Sequence, residues 1–264
     1  MRPPVTEVNL TFWFEPIYTL AALHLSSLRN LWADELPKVE EKAPLAPWRP
    51  TDSITFVEDK WPMPACIFAS DEREKQVLIQ SDRIGLTWYF TDKKQYPGFA
   101  ALSEDFLNRY GELVEALRGS GNDDPKLLRV TIDYENYLDL FDSNLVSKRL
   151  VAEEKISASD RNVFSPGTTA VRKHVQIGAD QSSLNLLIGV EPTRRGEGLS
   201  FALAQPLDTP GDGVNASTIL ALSARADLGK GDEPGERLNS AHEAINEIFA
   251  GLFDDSFKSS WGEK

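Results

Sequence analysis

Covalent cross-links and membrane-spanning features are scarce in this sequence. The 264 residues include a single cysteine, Cys66, so no disulfide can form within the chain, as expected in a reducing cytosol. No basic start is followed by an apolar run, so we expect no signal peptide. No apolar run approaches the roughly 20 residues of a membrane-spanning helix. These absences predict a cytoplasmic protein that is not embedded in a membrane.

Positive charge is also scarce. Lys and Arg together number 28 against 41 Asp and Glu, which gives a net charge of −13. An acidic chain repels phosphate backbones, so general nucleic-acid binding is disfavoured. The charge favours solubility, and an acidic face that docks a basic partner is the alternative interpretation.

The hydrophobic patterning that is present predicts a globular α+β protein. In the first half we expect strands at 5–14, 54–57 and 127–140, a hairpin at 75–90, and helices at 19–36 and 99–117. In the second half we expect strands at 171–177, 184–190, 199–205 and 218–228, and a closing amphipathic helix from 238. Hairpins favour antiparallel sheets covered by helices. The domain prediction is an α+β portion at 1–145, a connecting segment at 146–164, and a strand meander with the closing helix at 165–264.

The leucines of the predicted helix at 19–36 recur with helical spacing. Leu20, Leu23, Leu28 and Leu31 are therefore expected to face inward. Pro37 is expected to end the helix.

Three residues are the candidates for catalysis. His242 lies at the start of the closing helix and could act with a carboxylate as a general base only if a cleft surrounds it. Asp133 and Glu135 share one face of a predicted strand, opposite Tyr134, where they could perform acid/base chemistry or bind a cation. A packed or capping histidine and a solvated outer sheet face are the favoured interpretations.

No motif predicts a cofactor, a metal or a covalent nucleophile. Cys66 reads as a small buried hydrophobic residue. The sequence has no G-x-S-x-G elbow, and its short glycine pairs suit hairpin turns rather than phosphate loops. Trp48 and Trp61 lie in a proline-rich stretch, where exposed tryptophans would suit a partner interface.

Three passages together carry a family resemblance. They are Pro3-Pro4-Val5-Thr6-Glu7-Val8 at the start, Gln80, Asp82-Arg83, Trp88, Tyr96-Pro97 and Phe106 in the middle, and Ala241-His242-Glu243, Phe249 and Trp261-Gly262 at the end. In this order they resemble a sporadically distributed bacterial family of uncharacterised proteins. The resemblance implies a small cytosolic protein encoded by accessory genes, of the kind that accompany mobile elements or defence loci. It brings no catalytic residues with it.

Since no catalytic constellation stands out, the sequence favours a non-enzymatic protein-binding, adaptor or regulatory component. Its partner would be a protein encoded in the same defence or mobile-element locus. One alternative is a hydrolase that uses His242 or the pair Asp133 and Glu135. The other is a sensor that binds a small ligand between a helix and a sheet.

Overall fold

The computed structural model describes residues 5–46, 63–90, 96–138, 161–162, 169–177, 182–193 and 217–252. The strands are β1 Val5–Phe14, β2 Lys38–Lys42, β3 Ala65–Ala69, β4 Lys75–Gln80, β5 Arg83–Tyr89, β6 Leu127–Leu138, β7 Arg161–Asn162, β8 Thr169–Ile177, β9 Ser182–Thr193 and β10 Ser217–Asp227. The helices are α1 Ser26–Leu31, α2 Phe99–Gly119 and α3 Pro234–Leu252, and a 3-10 turn, Ala22–Leu25, precedes α1. Antiparallel strands with helices confirm the predicted α+β class.

The chain divides into two compact units, each built from separate stretches of sequence. We call Glu7–Ile132 with Arg225–Ala241 the amino-terminal unit. The carboxyl-terminal unit comprises Met1–Thr6, Asp133–Ala224 and His242–Lys264. The predicted connecting segment, 146–164, lies outside the described residues apart from Arg161–Asn162, so that division of the chain stays a prediction.

An antiparallel sheet forms the framework of the amino-terminal unit. Its seven strands follow the order β2-β3-β4-β5-β1-β6-β10. The predicted hairpin is present as β4 and β5, joined at Ser81-Asp82. In the pairing of β1 with β5, Leu10 lies opposite Leu86 and Phe12 opposite Ile84, so the apolar residues of both strands share one face.

Helices cover this apolar face of the amino-terminal unit. Phe12 on β1 packs against Phe106 and Tyr110 of α2, with ring centroids 4.5 Å and 5.1 Å apart. Trp32, just after α1, contacts Phe68 of β3 edge to face at 5.0 Å. These aromatic contacts hold α1 and α2 against the sheet.

Helix α2 forms as its sequence predicts. Leu102, Phe106, Leu113 and Leu117 recur at steps of four and seven residues and are buried. The helix ends at Gly119, and Gly121 follows in the left-handed region with φ of 77°. Glycine adopts that conformation without steric cost, which explains the clean end of the helix.

The predicted helix at 19–36 is wrong in length and partly wrong in orientation. Only Ser26–Leu31 is α-helical, and Ala22–Leu25 is 3-10. Leu20 and Leu28 are buried as expected, but Leu23 is 79% exposed and Leu31 is 60% exposed.

A shift in helical phase explains this error. The 3-10 turn has about three residues per turn against 3.6 in an α-helix, so the two segments do not share one uniform stripe. From the 3-10 turn onward, the buried residues are Leu25, Leu28, Trp32 and Leu36. This stripe leaves Leu23 and Leu31 on the outside.

Strands β2 and β3 were not predicted. Both lie at the ends of the proline-rich passage, whose composition argued only against helix. The predicted strand at 54–57 lies outside the described residues.

The carboxyl-terminal unit contains the predicted strand meander. Within it the strand order is β6-β10-β9-β8-β7, and β8 pairs with β9 in antiparallel register. The predicted strand at 199–205 and the chain beyond Leu252 lie outside the described residues. In the ranges that are described, no helix is long and apolar enough to span a membrane.

Candidate functional site

His242 is held by two hydrogen-bonding neighbours in the carboxyl-terminal unit. The Tyr134 hydroxyl lies 3.0 Å from Nδ1, and the Asn246 side-chain amide nitrogen lies 2.9 Å from Nε2. The spacing of Asn246 from His242 is one helical turn on α3, and Tyr134 comes from β6. Burial lowers the pKa of His242 to about 4, so the imidazole is neutral at physiological pH.

In this arrangement each ring nitrogen of His242 has a hydrogen-bonding neighbour within the carboxyl-terminal unit. Nδ1 shares a hydrogen bond with the Tyr134 hydroxyl, and Nε2 shares one with the Asn246 side-chain amide. A general base needs a nitrogen that can reach the substrate's proton. His242 therefore serves to connect α3 with β6, which matches the packed histidine that the sequence favoured.

The other two catalytic candidates, Asp133 and Glu135, lie on β6. Successive side chains on β6 alternate between faces, so these carboxylates lie on the face opposite Tyr134. Glu135 is 6% exposed. The predicted solvated outer face is thus wrong for Glu135, because residues that surround this part of the strand bury it. Its backbone carbonyl accepts a hydrogen bond of 3.1 Å from the Thr6 hydroxyl.

The remaining sequence candidates are Cys66, Trp48 and Trp61, and the structure describes only Cys66. Cys66 is buried, as predicted, and burial together with the Glu41 carboxylate raises the pKa of its thiol to about 11. Trp48 and Trp61 lie outside the described residues, and their role in partner binding stays a prediction. Among the side chains that are described, no group of three or more His, Cys, Asp and Glu is placed to hold a metal ion.

The central passage of the resemblance forms a buried polar cluster in the amino-terminal unit. The Asp82 carboxylate accepts from Arg83 Nε at 2.8 Å and Nη2 at 2.9 Å, and the guanidinium lies 4.1 Å from the Trp13 ring centroid. The Gln80 amide exchanges hydrogen bonds of 2.8 Å and 3.2 Å with the backbone of Leu45. Each of these polar groups has partners, so the passage fastens the chain after β2 to the sheet.

A groove between α1 and α2 is the candidate functional site, and sequence reasoning did not find it. It lies in the amino-terminal unit and encloses about 970 Å³. One wall carries Leu23, His24 and Leu31 from the 3-10 turn and α1. The sequence analysis missed this wall because it predicted that Leu23 and Leu31 face inward.

Small residues of α2 form the floor of the groove. Gly111 and Gly119 line it, and apart from their chain neighbours and the adjacent backbone of α2, no described atom lies within 4 Å of the position that a Cβ would occupy at either glycine. Ala116 and Ser120 also line it. Because these residues have little or no side chain, the backbone of α2 is accessible from the groove.

Carboxylates supply the charge of the groove lining. Glu112 accepts a hydrogen bond of 2.6 Å from Trp32 Nε1 and lies 3.5 Å from Arg109. Glu115 is 72% exposed and forms an ion pair of 2.7 Å with Arg118. Among the described residues that line the groove, none is Lys or Arg. The groove is therefore apolar with an acidic edge.

Neither a protein-family model nor a curated protein matches this chain. The groove's geometry and chemistry thus carry the argument for function.

Proposed function

We propose that this chain is a non-enzymatic protein-binding component whose docking surface is the groove between α1 and α2. The observation that carries the proposal is the exposure of Leu23 and Leu31, at 79% and 60%, on either end of one groove wall. Large apolar side chains that border a concave surface are typical of interaction sites.

The energetics favour an occupant for this groove. Complete burial of one exposed leucine side chain stabilises a complex by about 1.5–3 kcal/mol. The groove offers two such side chains, and its floor is not covered by large side chains. A partner that packs there would remove this apolar surface from water. A partner encoded in the same locus agrees with the accessory-gene pattern that the family resemblance implies.

The alternatives have less support. The hydrolase alternative needs a histidine nitrogen or a pair of carboxylates that faces a cleft, whereas the His242 nitrogens bind Tyr134 and Asn246, and Glu135 is buried. The sensor alternative needs a pocket between a helix and a sheet, whereas this groove lies between two helices.

A variant that fills the groove tests the proposal. In Gly111→Leu the new side chain occupies the floor, and leucine also favours a helix more than glycine does. We expect affinity purification from cells with the native neighbouring genes to yield a stoichiometric protein with the wild type. Recovery should fall at least tenfold with Gly111→Leu.

The matched control is Ala101→Leu, which adds a leucine to an exposed position of α2 outside the groove. It should recover the partner as the wild type does. Equal recovery with Gly111→Leu and wild type, or no stoichiometric protein with either, would overturn the proposal. Thermal unfolding of both variants checks that a loss of binding is not a loss of folding.

A further inference from the structure

The groove has the dimensions of a helix-binding site. Its α2 side runs from Leu107 to Gly119, roughly 20 Å at a rise of 1.5 Å per residue. Gly111 and Gly119 lie eight residues apart, so they lie close to one face of α2. Helix axes pack about 8–10 Å apart, and small residues permit the closer values. A helix of three to four turns fits such a groove.

Two ion-pair clusters include the carboxylates that line the groove, Glu115 and Glu112, and each cluster has more carboxylates than cations. Arg118 pairs with two carboxylates, Glu115 at 2.7 Å and Asp124 at 2.6 Å. The Arg118 guanidinium holds the pKa of Asp124 below its usual range, and this one cation faces two carboxylates.

The second charged cluster reaches the groove through Glu112 and has the same sign. Arg109 and Lys75 together face Glu35, Asp105 and Glu112, three carboxylates against two cations. Arg109 is buried among these carboxylates and does not line the groove, so an occupant meets Glu112 rather than the guanidinium.

Charge decides between the occupants. A second copy of this chain on the same surface would bring Glu112 and Glu115 toward their own counterparts, on chains that each carry −13. Nucleic acids and anionic membranes meet the same repulsion. A cationic occupant gains attraction instead, and the exposed Leu23 and Leu31 require it to be apolar on one side.

We infer that the groove receives a cationic amphipathic helix of a partner protein, with its apolar face on Leu23, Leu31 and the glycines of α2. This inference rests on the proposed function, and it names the chemistry of the partner. The apolar stripe of the partner helix lies in the groove, and its Lys or Arg residues flank Glu112 and Glu115.

Two synthetic peptides test this chemistry without knowledge of the natural partner. Both are 18-residue helices with leucine at i, i+3, i+4 and i+7 positions, and their polar positions carry Lys in one peptide and Glu in the other. We expect the Lys peptide to bind the full-length protein at least tenfold more tightly than the Glu peptide, by fluorescence anisotropy. Binding should weaken as salt is raised from about 50 to 300 mM, because the charges are near the surface.

Variants distinguish the effect of the groove carboxylates on binding from the effect of the net charge of the protein. Glu115→Lys combined with Glu112→Gln should lower the affinity for the Lys peptide at least tenfold. Asp34→Lys combined with Glu236→Gln, exposed carboxylates outside the groove, removes as much negative charge and should change affinity less than twofold. Glu115→Lys alone is a second test, because this side chain is 72% exposed and its replacement spares the fold.

The outcomes separate this inference from the proposed function. Equal binding of the two peptides, or equal weakening by the groove variants and their controls, would overturn the cationic helix. If Gly111→Leu still abolished capture of the natural partner, the groove would remain the docking site with a partner of different chemistry. If Gly111→Leu did not reduce capture of the natural partner, the proposed function would be wrong, and the cationic-helix inference that rests on it would be wrong as well.

Discussion

The groove between α1 and α2 and the cluster around His242 depart in opposite ways from the usual placement of side chains. At the groove, two leucines are largely exposed. In the cluster, a polar tyrosine is 6% exposed and a histidine is neutral through burial. Exposed apolar residues at a concave surface are typical of a binding site for another molecule. Buried polar residues whose hydrogen bonds are made within the protein are typical of structural support. The comparison therefore supports the proposal that the groove is the binding surface, with His242 in a structural role.

The largest expected difference separates two leucines of α1. Leu28 is 1% exposed and Leu31 is 60% exposed, although they are three residues apart. Leu28→Ala should lower the free energy of unfolding by about 2–5 kcal/mol, because it leaves a cavity. Leu31→Ala should change it by less than about 0.5 kcal/mol. Urea unfolding measures both, and an equal cost would show that the groove wall is packed rather than open.

The next effect tests the structural role of His242. His242→Ala removes the hydrogen bond to Tyr134 and leaves space inside the carboxyl-terminal unit, so the free energy of unfolding should fall by about 2 kcal/mol. Asn246→Ala, at an exposed position on the same helix, should cost less than about 1 kcal/mol. A neutral His242→Ala in chemical denaturation would contradict the comparison and return the histidine to the list of candidate catalytic groups.

A smaller effect depends on pH. The unfolded chain protonates His242 near its ordinary pKa of 6.5, and the folded chain protonates it near 4. The stabilisation by the neutral imidazole is thus complete above 6.5 and is lost as the pH falls from 6.5 toward 4. The loss should be about 1–2 kcal/mol, since partial exposure screens the shift.

His242→Asn is the reference for this pH dependence. The carboxylates titrate in both proteins, so the difference between their unfolding free energies isolates the histidine. A difference that stays constant from pH 7 to pH 4 would refute the buried neutral imidazole.

The smallest effect concerns the floor of the groove. Gly111→Ala should raise the free energy of unfolding by about 0.5–1 kcal/mol, because alanine restricts the unfolded chain and no atom lies within 4 Å of its Cβ. Gly121→Ala should instead destabilise the protein, since φ of 77° disfavours a side chain. Thermal unfolding compares the two, and a destabilising Gly111→Ala would mean that the floor is closed.

Much of the regular structure could be predicted from the sequence. β1, the hairpin of β4 and β5, and α2 follow from strict alternation or helical spacing over several turns. α3 begins at Pro234, four residues before the predicted start, because Leu238 was the first residue of the apolar stripe. β2 and β3 were not predicted for two reasons. They flank a proline-rich passage, and strands of five residues have little periodic signal.

The candidate site could not be predicted in the same way. The leucines at 20, 23, 28 and 31 fit one helical face only if the whole segment is α-helical, and the 3-10 turn breaks that assumption. Likewise, the spacing of Asn246 from His242 is visible in the sequence, whereas the approach of Tyr134 comes from a strand 108 residues away.

The sequence by itself determined the acidic charge, the α+β class and the faces of the long periodic elements, because these depend on composition and on residues a few positions apart. Only the tertiary structure decided which leucines remain exposed, which carboxylates share a guanidinium, and which polar groups hold His242. Those outcomes depend on segments that are distant in sequence and meet only when the chain is packed. The groove is a product of that packing.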